Sequence, residues 1–174
     1  MKICVVGAGS IGGLLGVKLA LAGEDVTLIA RGKHLESIQA DGLRVDYPDG
    51  TSEVARDVKA TSDMGACGPQ DLVILGIKAH QISPIVDEIR SLFGPDTMVL
   101  TTQNGIPWWY FQRQGGEFDG ARIETLDPEG TLTEGIEAER IIGCIAYPST
   151  TTCRRTTFWR GRCAHCSRDT KSRC

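Results

Sequence analysis

Six residues near the start of the chain carry the first chemical signal: Gly7-Ala8-Gly9-Ser10-Ile11-Gly12, a G-x-G-x-x-G. It follows a short apolar run, Lys2 to Val6, that reads as a buried strand, and it opens a helical stretch from Ser10 to Ala22. In that setting each glycine has a task. Gly7 permits a tight turn, Gly9 lets backbone approach a pyrophosphate, and Gly12 lets helix and strand pack closely. The helix N-terminus then offers free N–H groups and a positive dipole end to phosphate. A second strand, Asp25 to Ala30, follows at the spacing that distinguishes a dinucleotide site from a mere glycine turn.

The end of that second strand selects the dinucleotide. An acid there would accept from a ribose 2′-OH, but the sequence reads Ala30-Arg31-Gly32-Lys33 with no acid before Glu36. The Arg31 guanidinium offers a planar fork to a 2′-phosphate and Lys33 adds charge. The expected cofactor is therefore NADP, as NADPH, over NAD.

The elements that position these groups alternate. A helix is predicted over 33–41, and the alternation of Leu43, Val45 and Tyr47 before Pro48-Asp49-Gly50 predicts a hairpin within 42–55. Val58 to Thr61 and the nearly continuous apolar run Asp71 to Ile77 read as strands, the latter as a central one covered on both faces. Ile82, Ile85, Val86, Ile89, Leu92 and Phe93 fall at helical spacing, so one helix is predicted there, stopped by Gly94-Pro95. Strands are predicted at Thr97–Thr102 and Arg140–Tyr147. The sum is an α/β, Rossmann-like doubly wound parallel sheet.

With these residues in place, the chain from Met1 to about Thr152 resembles the ketopantoate reductase (2-dehydropantoate 2-reductase) family. The resemblance rests on the glycine turn, Arg31-Gly32-Lys33-His34-Leu35, Gly76-Ile77-Lys78-Ala79-His80-Gln81 and Gln103-Asn104-Gly105. The Ile106-Pro107-Trp108-Trp109-Tyr110 extension looks like one branch of that family. The resemblance implies NADPH-dependent reduction of ketopantoate, a small 2-keto acid, to pantoate, in pantothenate and coenzyme A biosynthesis. It also implies cofactor contacts from Gly7, Ala8, Gly9, Ser10, Ile11, Gly12, Arg31, Lys78 and Asn104, with Asn104 also reaching substrate. Gln81 and Ser149 are weaker candidates for cofactor contact. His34 and His80 read as surface or supporting residues, and Trp108 to Phe111 as packing aromatics.

Members of this family continue into a second, helical domain that carries the proton-donating lysine and a substrate-binding glutamate; that domain is expected to be absent here. No catalytic residue is therefore assigned, and the chain is expected to bind cofactor but reduce substrate poorly by itself. Two alternatives stand beside this reading: a non-catalytic NADP-binding module or fragment, and a related reductase of another small 2-keto acid. Uncovered apolar surface around Trp108 and Trp109 would favour self-association.

The expected domain boundary lies at 152. Residues 153–174 hold six arginines, one lysine, one aspartate and four of the seven cysteines, while acidic residues outnumber basic ones before them. This tail reads as an out-of-frame or truncated end and is expected to be disordered. A zinc site from Cys163, His165 and Cys166 with Cys153 or Cys174 is the weaker alternative, since a lone C-x-x-C lacks its second pair. No metal site is expected in residues 1–152.

The whole chain of 174 residues is 41% hydrophobic and 24% charged, and its net charge of −3 gives no reason to expect nucleic acid. Contact with nucleic acid through the basic tail is a poorer third idea for residues 153–174. No apolar run approaches a membrane span, and glycines interrupt the N-terminal run where a signal peptide would need continuity. The expected location is the cytoplasm. The odd cysteine count does not form a secreted disulfide framework, and Cys4, Cys67 and Cys144 read as buried thiols.

Overall fold

The computed structural model describes residues 1–148, 150–153 and 156–159. Six parallel strands form the main sheet: β1 (Lys2–Val6), β2 (Asp25–Ile29), β5 (Lys59–Thr61), β6 (Gln70–Leu75), β7 (Phe93–Thr101) and β8 (Ile141–Gly143). Their order is β5-β2-β1-β6-β7-β8. The chain runs outward from β1 in one direction, then crosses back to β6 and runs outward in the other. The strand order therefore reverses between β1 and β6, and the carboxyl ends of those strands frame the crevice of a doubly wound sheet.

Alternation within strands explains why both faces are covered. Ile3, Val5, Leu28 and Ile74 enter one core, while Cys4, Val6, Val73, Leu75 and Val99 enter the other. Successive side chains of a strand point to opposite faces, so a continuous apolar run serves two cores at once. On the first face lie α1 (Ser10–Leu21) and α2 (Gly32–Asp41), through Val17 and Ile38. On the second lie Ile82, Val86, Ile89 and Leu92 with Trp108, Leu132 and Ile136. Burial pushes the Cys4 thiol up, so it stays protonated in the core.

The expected hairpin forms from β3 (Leu43–Asp46) and β4 (Ser52–Ala55). It belongs to a second, four-stranded sheet of order β4-β3-β10-β9, completed by β9 (Thr150–Cys153) and β10 (Thr156–Trp159). β10 runs parallel to β3, with Thr157 opposite Val45. Helix α1 is thus enclosed between two sheets, which accounts for apolar residues on most of its sides. The boundary expected at 152 falls inside β9; residues 160–174, with Cys163, His165, Cys166 and Cys174, lie outside the described residues. No helix among the described residues is long and apolar enough to cross a membrane.

Three predicted elements need correction. The single helix expected over 82–93 is broken into 3-10 turns at Ala79–Gln81 and Ser83–Ile85, followed by the short α3 (Val86–Arg90). Pro84 has no N–H to donate, and Ile85 sits at φ −126°, ψ 17°, outside the helical region. The spacing nonetheless picked the buried residues correctly, since Ile82, Val86, Ile89 and Leu92 all lie in the core.

Gly94-Pro95, expected as a helix stop, lies within β7, next to a register irregularity opposite Gln70 and Leu72, where a strand proline is tolerated. The Arg140 guanidinium holds this segment by donating to the carbonyls of Gly94 (2.9 Å), Pro95 (3.3 Å) and Thr97 (3.1 Å).

Finally, β8 ends at Gly143 rather than Tyr147. Its partner β7 ends at Thr101, opposite Gly143, and offers no further ladder. Between β7 and β8 the structure also holds α4 (Thr131–Gly135), for which the sequence reading had no element.

Candidate functional site

The glycine turn joins the end of β1 to α1, and its geometry follows from what a side chain would strike. Gly7 adopts φ +97°, a left-handed conformation that disfavours any side chain. Its N–H and that of Ala8 both donate to the Ile29 carbonyl at 3.1 Å, tying the turn to the end of β2. A Cβ on Gly12 would lie 2.0 Å from the Gly7 carbonyl oxygen, so helix and turn touch backbone to backbone. A Cβ on Gly76, just beyond β6, would lie 2.8 Å from both the Gly7 oxygen and the Gly12 Cα.

Gly9 is different. A Cβ there would meet only the Gly76 oxygen, at 3.9 Å, so the structure itself leaves the space free. That space is a cradle bounded by the start of α1, and it opens into two clefts that share Gly7, Gly9, Ile77 and Gln81. Dinucleotide phosphates fit such a place: small residues allow close approach, and the first N–H groups of a twelve-residue helix face it.

The first cleft, of about 590 Å³, extends past the end of β2 and is lined by Ala30, Arg31, His34, His80 and Pro84 beside the shared residues. Arg31 caps the N-terminus of α2 in extended backbone and is exposed. Among the described residues it makes no ion pair, which leaves its guanidinium available to an anion. Lys33 and Glu36, both exposed on α2, do not line this cleft. His34 has a supporting place: its Nε2–H donates to the Ala8 carbonyl at 2.8 Å, bracing α2 against the glycine turn.

The second cleft, of about 450 Å³, lies between the ends of β6 and β7 and is lined by Ser10, Ile11, Lys78, Thr102, Gln103 and Asn104 beside the shared residues. Lys78 and Asn104, far apart in sequence, are brought together here because β6 and β7 are neighbours. Lys78 is exposed; its backbone N–H donates to the Gln81 Oε1 at 3.0 Å. Asn104 donates from Nδ2 to the Ala146 carbonyl at 3.3 Å, drawing the strand exit after β8 towards the cleft. Thus Gly7, Ala8, Gly9, Ser10, Ile11, Arg31, Lys78 and Asn104 all line one or the other cleft, while Gly12 acts through packing. Ser149 lies outside the described residues.

One residue of this site had no role in the sequence reading. Gln103 was part of a motif, yet its side chain bonds two carbonyls of the neighbouring strand exit, from Nε2 to Leu75 (2.8 Å) and Ile77 (2.8 Å). A glutamine just beyond a strand, before Asn-Gly, is the only signal available for it.

The aromatic run is divided rather than shared with a helix. Trp108 is 4% exposed, in the core with Leu132 and Ile136, and Trp109 packs against Gly143. Exposed apolar side chains include Ile106 and Tyr110, close to the tryptophans in sequence, and Phe118, Ile145 and Tyr147. Among the described residues no cluster of three or more His, Cys, Asp or Glu side chains is placed to hold a metal.

Comparisons with known proteins point the same way as the glycine turn and the two clefts. A 2-dehydropantoate 2-reductase of Mesorhizobium japonicum is 47% identical over 150 residues, which are 86% of this chain and 45% of that protein. One from Pyrococcus horikoshii is 42% identical over 106 residues, 61% of this chain and 34% of that protein. Among solved structures, a candidate ketopantoate reductase from Ralstonia solanacearum MolK2 superposes with a TM-score of 0.84 at 37% identity, covering 92% of this chain and 49% of that one. The chain therefore spans less than half the length of these relatives. The family model of ketopantoate reductase PanE/ApbA matches residues 3–107, a stretch that includes the glycine turn, Arg31, Lys78 and Asn104, and the chain belongs to that family.

Proposed function

We infer that this chain is the cofactor-binding part of an NADPH-dependent reductase of a small 2-keto acid, with ketopantoate the first candidate. The observation that carries the reading is the pair of clefts meeting at the glycine turn on the carboxyl side of the sheet. Arg31 would hold the 2′-phosphate, the Gly7–Gly12 turn the pyrophosphate, and Lys78 with Asn104 the nicotinamide end, where Asn104 also faces substrate. NADPH, when bound, supplies the hydride; the protein's part is orientation and electrostatics. The names of the relatives support ketopantoate as substrate, and this chain spans less than half the length of those relatives.

Calorimetric titration of the 174-residue chain with NADPH and, separately, NADH tests the reading. A charge-assisted contact is worth about 1.5–3 kcal/mol, so NADPH is expected to bind about 10- to 150-fold more tightly than NADH. Arg31→Ala is expected to bring the two close to parity. Equal affinity in the unaltered chain would sink the assignment of Arg31.

We also propose self-association through the apolar surface beside the second cleft. Ile145 and Tyr147, 69% and 87% exposed, flank Ala146, whose carbonyl accepts from Asn104, and Ile106, two residues beyond Asn104, is 67% exposed. Such exposed apolar groups favour contact with another surface. Sedimentation velocity is expected to show a sedimentation coefficient that rises with concentration. A single monomeric species at every concentration would overturn it.

A further inference from the structure

We propose that Gln103 is a positioning residue for the nicotinamide end of the cofactor site, acting through the Ile77–Lys78 peptide. The proposal rests on the NADPH reading above and deepens it. Two peptide groups, with one more between them, lead from the end of β6 to the 3-10 turn at Ala79–Gln81. In the first, the Leu75 carbonyl accepts from the Thr102 hydroxyl (2.8 Å) and from Gln103 Nε2 (2.8 Å), while the Gly76 N–H donates to the Val6 carbonyl (2.9 Å). In the second, the Ile77 carbonyl accepts from the same Gln103 nitrogen (2.8 Å), and the Lys78 N–H donates to Gln81 Oε1 (3.0 Å). The peptide from which Lys78 departs is therefore gripped on its carbonyl side by one glutamine and on its N–H side by another.

Gln103 has no freedom to turn its amide the other way, because both partners of its nitrogen are carbonyl oxygens. Its own Oε1 is left buried and has no hydrogen-bond partner among the described residues. Here the arrangement keeps one nitrogen on two carbonyls at the wall of the second cleft. The same segment carries Gly76, whose Cα faces the Gly7 oxygen, and Ile77, whose Cγ2 lies 2.4 Å from where a Gly7 Cβ would be. Releasing it would loosen Lys78 and that wall while leaving Arg31 and the end of β2 in place.

The test separates the two ends of the cofactor. Adenosine 2′,5′-bisphosphate carries the 2′-phosphate and a 5′-phosphate but no nicotinamide, so it probes the Arg31 side and the glycine turn without the nicotinamide end. In the full chain, Gln103→Met removes both hydrogen bonds at similar length. It is expected to weaken NADPH about tenfold, as the loss of one to two net hydrogen bonds predicts, with the bisphosphate changed less than about twofold. Gln103→Glu brings a carboxylate against two carbonyls and is expected to lose more at about pH 8. It should recover part of the loss, relative to the unaltered chain, towards about pH 5, where protonation restores one donor.

Unchanged NADPH affinity in both variants overturns the proposal. So does an equal fall for both ligands, or loss of cooperative unfolding in both variants, since each assigns Gln103 to the fold instead. An unaltered chain that binds neither ligand overturns the NADPH reading itself, and this inference with it.

Discussion

The two wings of the sheet are built differently. From β1 to β5 the glycine turn is fixed mainly by contact of backbone with backbone: Gly12 against the Gly7 carbonyl, and the Gly7 and Ala8 N–H groups on Ile29, with His34 bracing Ala8 from α2. From β6 to β8 much of the irregular backbone is fixed by single side chains reaching across it. Gln103 holds the exit of β6, Arg140 holds the start of β7, and Asp127 holds the start of α4. The first wing can change little without steric conflict, whereas the second can lose one anchor at a time. The proposed cofactor site spans both, with a rigid turn at its centre and an adjustable wall on one side.

Substitutions at two glycines of the turn should break this contrast most sharply. Gly12→Ala places a Cβ 2.0 Å from the Gly7 oxygen and 3.1 Å from Val5 Cγ1, with backbone rather than a flexible side chain in the way. A loss of about 3 kcal/mol or more is expected, from forced displacement in a packed interior. Thermal or urea unfolding would measure it. Gly9→Ala meets nothing closer than 3.9 Å and should unfold within about 0.5 kcal/mol of the unaltered chain, yet lose NADPH binding by filling the cradle. If Gly9→Ala bound NADPH normally, the cradle would not be the phosphate site. A normally stable Gly12→Ala would remove the contrast between the wings.

The same contrast explains what could be read in the sequence. The strands of the first wing, the hairpin at 43–55 and the glycine turn announce themselves through period-two alternation, glycine spacing and Pro48-Asp49-Gly50, all of which are local. The buried residues after β6 were legible too, because the core selects Ile82, Val86, Ile89 and Leu92 whatever the backbone does between them. Continuity was not: one missing N–H at Pro84 splits the expected helix, and no periodicity records that.

The site followed the same rule. The Gly7–Gly12 turn and Arg31 could be placed from neighbours in sequence, and Lys78 and Asn104 from strand ends. Gln103 could not, because its partners Leu75 and Ile77 lie more than 25 residues away and become neighbours only when β6 pairs with β7. The partnership of β10 with β3 is far more remote in sequence.

Asp127 gives the smaller, sharper test of the second wing. It is 2% exposed, and its carboxylate accepts from the Leu132 N–H (3.0 Å), the Thr133 N–H (2.9 Å) and the Thr133 hydroxyl (2.7 Å). Burial works to raise its pKa. The three hydrogen bonds and the nearby Arg122 outweigh that and hold the carboxyl below the usual aspartate value of 3.8. Because the folded pKa is depressed, the stabilisation is present above the unfolded value and is lost as pH falls through the folded one. Asp127→Ala should therefore cost about 1–2 kcal/mol near neutral pH, the range for removing a helix-capping acceptor. The difference from the unaltered chain should shrink only below about pH 4, where the native carboxylate protonates as well. Paired unfolding curves across that range measure it. A difference that stayed constant down to the folded pKa and beyond would mean that Asp127 contributes by packing and not as an anchoring charge. The start of α4 would then be held by the packing of Leu132 in the core.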